Sequence, residues 1–141
     1  MDSAHAMLGP VVALVIWSAV MWAWMYATRI PAIQKSKMVL DGRAPRGEQM
    51  NQLPAEVRWK ADNYNHLMEQ PTLFYAVAIS LAVLGDTTAL SVQLAWAYVA
   101  LRVVHSLVQV LVNHILTRFA IFFVSSIVLF ALTARAALIV F

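Results

Sequence analysis

Four long apolar stretches, roughly 8–28, 67–84, 90–112 and 119–141, dominate this chain of 141 residues. Each approaches the roughly 20 residues that cross about 30 Å of hydrocarbon at about 1.5 Å per residue. With 62% of residues apolar and only 12% charged, little chain is left for anything but connections. The expected fold class is therefore all-α, an integral membrane four-helix bundle in a single domain over 1–141. The spans expected are about 8–30, 61–84, 89–113 and 116–140, with one long loop over about 31–60. The opening MDSAHAML lacks the basic start of a cleavable signal, so the first span is expected to be retained. The chain has no cysteine, which rules out disulfides, thiolate metal sites and a cysteine nucleophile.

The net charge of +3 could suggest a nucleic-acid partner, but the positions of the charges argue otherwise. Of ten Lys and Arg, seven (Arg29, Lys35, Lys37, Arg43, Arg46, Arg58 and Lys60) fall between the first and second spans. That is the asymmetry of a cytoplasmic loop, and it places both termini outside the cytoplasm, with Asp2 and Asp86 on the opposite side. The basic cluster thus reads as topology and not as a nucleic-acid surface, which leaves membrane lipid as the expected surrounding.

Pro10 suits the first turn of the opening helix. Trp22, Trp24 and Tyr26 near its inner end resemble an interfacial belt. Pro31 either kinks or ends that helix, and AIQKSKMVL can continue it until Asp41 and Gly42 turn the chain. The turn before the last span is too short to cross anything.

Polar residues inside the apolar spans carry the functional signal. At 100° per residue from Arg102, His105 falls near about −60°, Ser106 near about 40°, Gln109 near about −20° and Asn113 near about 20°. From Asp62 the same arithmetic gives a matching stripe, with Asn65 near about −60°, His66 near about 40°, Glu69 near about −20° and Ser80 near about 0°. If the third helix meets the interface at Asn113, Arg102 lies about 16 Å deeper and Glu69 about 10 Å deep, at about 1.5 Å per residue. A charge at that depth costs about 2.5–3.5 kcal/mol or more unless paired, so Arg102 is expected to face the interior, with Glu69 as its candidate partner. A purely structural network would use Ser, Thr, Asn or Gln, so the charges on facing helices favour function over packing. Arg135, near the far end, is expected to snorkel to the outer interface without a role. His66, Glu69, His105 and His114 do not make a metal site, because a di-iron bundle needs two Glu-x-x-His motifs and further glutamates. No Ser/His/Asp arrangement or nucleophile elbow supports a hydrolase, and the absence of a repeat or an interrupted helix pair argues against a transporter.

The segments NYNHLMEQPTLFYAV (63–77) and RVVHSLVQVLVNHILTRF (102–119) resemble the MAPEG family, membrane-associated proteins in eicosanoid and glutathione metabolism, and in particular its small bacterial members. The shared features are Glu69 shortly before Pro71, the Arg-x-x-His of Arg102 and His105, and Arg118 sixteen positions beyond Arg102. The resemblance implies a homotrimer in a bacterial inner membrane, with glutathione as co-substrate between adjacent subunits. It also implies that Glu69 helps hold the glutathione backbone and that Arg118, the catalytic candidate, stabilises the thiolate. Arg102 and His105 would line or support the pocket, Asn65 and His66 would border it from the second helix, and Asn113 would assist near its mouth. The chemistry fits this division: carboxylates call for guanidinium forks, an ammonium for a carboxylate, and a thiolate for nearby positive charge. Two positions depart from the family pattern. His66 stands where many members have Asn, which alters peptide recognition. Gln109 stands where some have a tyrosine, which argues against a synthase that relies on it. The implied activity is a glutathione-dependent transferase or peroxidase acting on apolar electrophiles or lipid hydroperoxides. The alternative is a non-catalytic family member that binds a lipid or another small ligand.

Overall fold

The computed structural model describes residues 2–141 apart from Thr87, with side chains from His5 onward. The described residues are helical or in turns, and no strand occurs among them. Helix α1 spans Asp2–Ser36 and runs through both Pro10 and Pro31. Pro31 removes one helical hydrogen bond without ending the helix. The end comes at Lys37, whose φ of 54° turns the chain while its N–H bonds to Gln34 O at 3.2 Å.

The polar connection that follows is folded back on itself by one side chain. Gln49 Nε2 donates to Val39 O at 2.7 Å, and Gln49 Oε1 accepts from Asp41 N–H at 3.0 Å. A single 3-10 turn over Met50–Gln52 then delivers Leu53 into the core and leads to α2 over Ala55–Leu67. The stretch read as one helix over 61–84 is divided: α2 stops at Leu67, and α3 runs over Pro71–Val83. The cause is Pro71, which has no N–H to offer Leu67 O. The bend is stitched by shorter bonds, Glu69 N–H to His66 O at 3.3 Å and Thr72 N–H to Glu69 O at 3.2 Å.

Helix α4 (Ala89–Leu111) and α5 (Ile115–Val140) form a tight antiparallel pair, and α1 packs along α2, α3 and α4. The core between them contains Met7, Leu14, Met21, Leu67, Leu81, Leu129 and Leu132, with Phe74 and Tyr98 stacked at a centroid distance of 4.5 Å. The outside is as apolar as the inside. Ile16, Leu73, Phe119 and Phe130 are all more than half exposed, which a protein in water would not sustain over a whole surface. Three helical segments, His5–Ser36, Ala89–Leu111 and Ile115–Val140, are long and apolar enough to cross a membrane, and α2 with α3 makes the fourth arm of the bundle. The chain is thus an all-helical, integral-membrane type of protein.

At the end of the bundle that carries the termini, Arg135 takes a position that the sequence did not suggest. It does not snorkel away without a role. Its Nη2 pairs with Asp86 Oδ2 at 3.1 Å, and it also donates to Ser91 Oγ at 2.5 Å and Thr88 Oγ1 at 2.9 Å. The reason is geometric: α5 runs antiparallel to α4, so its last turns lie beside the turn that holds Asp86. Burial alone would raise the Asp86 carboxyl, but hydrogen bonds from Ser91, Thr88 and Arg135 outweigh it and hold the group down at about 2, against an ordinary 3.8. A carboxyl depressed on folding contributes stability that is complete above its unfolded value and is lost as pH falls through its folded value. Asp86→Asn is therefore expected to remove on the order of 2 kcal/mol at neutral pH. It should also flatten the acid dependence of unfolding in detergent between about pH 4 and pH 2. Identical pH–stability curves for the two proteins would refute the pairing.

Candidate functional site

The polar stripe of α4 faces inward, where a charged or amide side chain can avoid lipid. Arg102, His105, Ser106 and Gln109 are all buried, and Arg102 has no exposed surface at all. Its partner differs from the expected one. Arg102 Nη2 donates to His66 Nδ1 at 2.7 Å and, more weakly, to His66 O at 3.4 Å. Glu69 is exposed at the α2–α3 bend, and among the described residues the ion pair within 4 Å is Arg135–Asp86. The bend at Pro71 carries Glu69 past the end of α2, whereas His66, still on the helix, faces α4.

The helical wheel drawn from Asp62 fails for two reasons: within α2 the buried face is centred near Asn63 and Leu67 and not on Asp62, and beyond Leu67 the bend ends the helix that the wheel assumed to continue. Asp62, Asn65, Glu69 and Ser80 are exposed, and Asn63 is the polar α2 residue that is wholly buried. An unpaired aspartate stays outside because burial would strand its charge.

Around Arg102 the rings are ordered. His66 and His105 stack with centroids 4.9 Å apart and planes 12° from parallel. Phe122 of α5 meets His66 edge-on at 5.4 Å and lies under the Arg102 guanidinium at 5.9 Å. That contact supplies part of the solvation that water would give a cation.

The turn between α4 and α5 aims the second guanidinium. Asn113 adopts a φ of 54°, a left-handed conformation that asparagine tolerates, and its N–H closes α4 on Val108 O at 2.7 Å. His114 then caps α5, its ring nitrogen accepting from Thr117 N–H at 3.4 Å. One turn into α5, Arg118 Nη1 donates to Asn113 Oδ1, so the turn that starts the helix also fixes the arginine's direction.

These pieces enclose a cleft of about 210 Å³ lined by His66, His105, Ile115, Arg118, Phe119 and Phe122. Of the residues singled out from the sequence, Arg118, His66 and His105 line it. Asn113 holds Arg118, and Arg102 stands behind His66. Gln109 is buried on the same α4 face without lining the cleft, and Asn65 and Glu69 are exposed outside it. Several buried polar atoms here have no partner: Arg102 Nε and Nη1, His105 Nδ1, Ser106 Oγ, Gln109 Oε1, Arg118 Nε and both amide atoms of Asn63. Such atoms are rare in folded proteins once water is counted, so a cluster of them calls for polar company from outside the chain, whether water or a ligand.

A network not foreseen from the sequence sits one turn deeper. Tyr98 Oη donates to Gln70 Oε1 at 3.1 Å, and Gln70 Nε2 donates to Ser126 Oγ at 2.8 Å. Tyr98 lies four residues before Arg102, so extending the α4 stripe by one turn would have found it. Gln70 offered no such signal, because only the Pro71 bend turns it inward. A second, apolar groove of about 400 Å³ runs between α1, α2 and α3, lined by Val15, Ser18, Ala19, Trp22, Tyr64, Met68 and Tyr75.

No curated protein and no solved structure matches the chain. The model of the MAPEG family matches residues 7–138, which takes in α2, α3 and α4, all but the outer ends of α1 and α5, and every residue of the cleft. The chain therefore belongs to the MAPEG family.

Proposed function

We propose that the protein is a membrane-bound glutathione-dependent transferase or peroxidase that uses Arg118 to hold the glutathione thiolate in the cleft between α2, α4 and α5. The observation that carries this reading is Arg118 itself. Its Nη1 is fixed by Asn113 while its Nε is buried without a partner at a cleft with no acidic residue in its lining. A cation in that setting stabilises a thiolate over a thiol and so raises the fraction of the nucleophile. In the transferase reaction the thiolate sulfur forms a bond to an electrophilic carbon, and the leaving group departs with its electron pair. In the peroxidase reaction the sulfur attacks the distal oxygen of a lipid hydroperoxide, the O–O bond breaks and the alcohol leaves. A second glutathione then converts the sulfenic acid to the disulfide and water.

The apolar exterior supports an apolar second substrate that arrives from the lipid. It also supports four membrane passes, and the seven Lys and Arg that fall between the first two passes favour the 31–60 loop in the cytoplasm with both termini outside. The exposure of Asn65 and Glu69 favours a site completed between subunits of a homotrimer. In that assembly Glu69, outside the cleft of its own chain, would meet the peptide's ammonium across the boundary.

The departures from the family pattern at His66 and Gln109 support a second reading, a non-catalytic member that holds a lipid or small ligand in the cleft. Calorimetry on the detergent-purified protein separates the two. Binding of glutathione with a dissociation constant in the millimolar range or below is expected, and no heat and no thermal shift at millimolar glutathione would favour the second reading.

A further inference from the structure

We infer that Arg102 acts on an anionic ligand through His66, which makes Arg102 a positioning residue and the His66 Nε2–H the group that meets the ligand. Arginine carries donors and no acceptor, so the 2.7 Å contact from Arg102 Nη2 requires His66 Nδ1 to accept. The single ring proton of a neutral His66 then belongs on Nε2. Arg102 is itself wholly buried and absent from the cleft lining, whereas His66 is half-buried and lines the cleft beside Arg118. Its ring is held on both sides, by the His105 stack at 4.9 Å and by the Phe122 edge at 5.4 Å, so the nitrogen opposite the Arg102 bond keeps a fixed direction. A buried cation hydrogen-bonded to one nitrogen polarises the N–H at the other, as chains of hydrogen bonds do in a low-dielectric interior. The ligand group that suits this donor, with the Arg118 guanidinium alongside, is a carboxylate or thiolate.

The inference rests on the glutathione reading for the identity of the ligand only, and two measurements keep the failures apart. In ligand-free wild type, nitrogen-15 spectra of histidine-labelled protein should show one ring, assigned by its loss in His66→Gln, as the Nε2–H tautomer. Arg102→Met should turn it into a mixture of tautomers. A wild-type ring protonated on Nδ1, or one that Arg102→Met leaves unchanged, overturns the relay whatever the protein binds. In glutathione titrations, Arg102→Met and His66→Phe should each weaken binding about tenfold, and the double variant should be no more than about threefold worse than the weaker single. A double variant at about a hundredfold, the product of two independent losses, overturns the relay, because the two residues would then contact the ligand separately. Absence of glutathione binding by wild type sinks the glutathione reading alone, and the tautomer result then decides the relay.

Discussion

Arg118→Ala is expected to lower kcat/KM for conjugation of glutathione to a generic apolar electrophile by about 10²–10³-fold, the usual loss when one preorganised charge-stabilising donor is removed. The pH dependence separates chemistry from damage to the fold. With a guanidinium beside the sulfur, the rate should rise through an inflection well below the free-thiol value of about 8.5, and in the alanine variant that inflection should move up toward it. A merely destabilised enzyme would lose amplitude and keep its inflection. The fold should tolerate the change, since Arg118 is only half-buried and Asn113 is also held by its backbone bond to Val108 O. Arg118→Lys should recover part of the rate, because it restores the charge but not the fork that Asn113 orients. Full activity in Arg118→Ala would remove this residue from the mechanism.

Much of this arrangement was legible because lipid enforces simple rules. Apolar run length located the helices of α1, α4 and α5, and the inward stripe from Arg102 to Gln109 followed from 100° per residue on a helix that runs uninterrupted from Ala89 to Leu111. The same arithmetic failed on the second arm, where the polar residues of α2 do not mark its buried face and Pro71 ends the helix before Glu69 and Ser80. Asn63 went inside, Asn65 and Glu69 stayed out, and His66 took the place beside Arg102 that had been expected of Glu69. Charge complementarity had favoured Glu69, but the guanidinium bonded the group that the helix brought within reach. Arg135 was misjudged for a related reason: its bond to Asp86 spans a separation that no local pattern encodes, and it depends on how α5 returns along α4. Pairings between helices are tertiary facts, and in this protein they decide which polar residues form the cleft.

Arg102→Met is expected to leave the ligand-free protein as stable as wild type or more so, while it weakens glutathione binding about tenfold or more. Arg102 is wholly buried, and its Nε and Nη1 have no hydrogen-bond partner within the chain. Its compensation amounts to one hydrogen bond to a neutral imidazole, a weaker one to His66 O and a ring contact at 5.9 Å, the last worth about 1 kcal/mol. A buried charge so poorly compensated is a net cost, and apolar residues of similar volume commonly replace such groups with a gain of about 1–4 kcal/mol. The substitution does orphan His66 Nδ1, but His66 is only half-buried and borders the open cleft, from which water can replace the lost donor, so that penalty stays below the usual 1–3 kcal/mol or so for a buried acceptor. Thermal unfolding in detergent without ligand gives the first half of the prediction, and the glutathione-induced shift in the same assay gives the second. If Arg102 were a packing strut, the methionine variant would unfold earlier, and its remaining folded fraction would bind glutathione normally. A rise in stability together with a loss of affinity is the opposite pattern, and it is the one expected of a charge that the fold retains for a ligand.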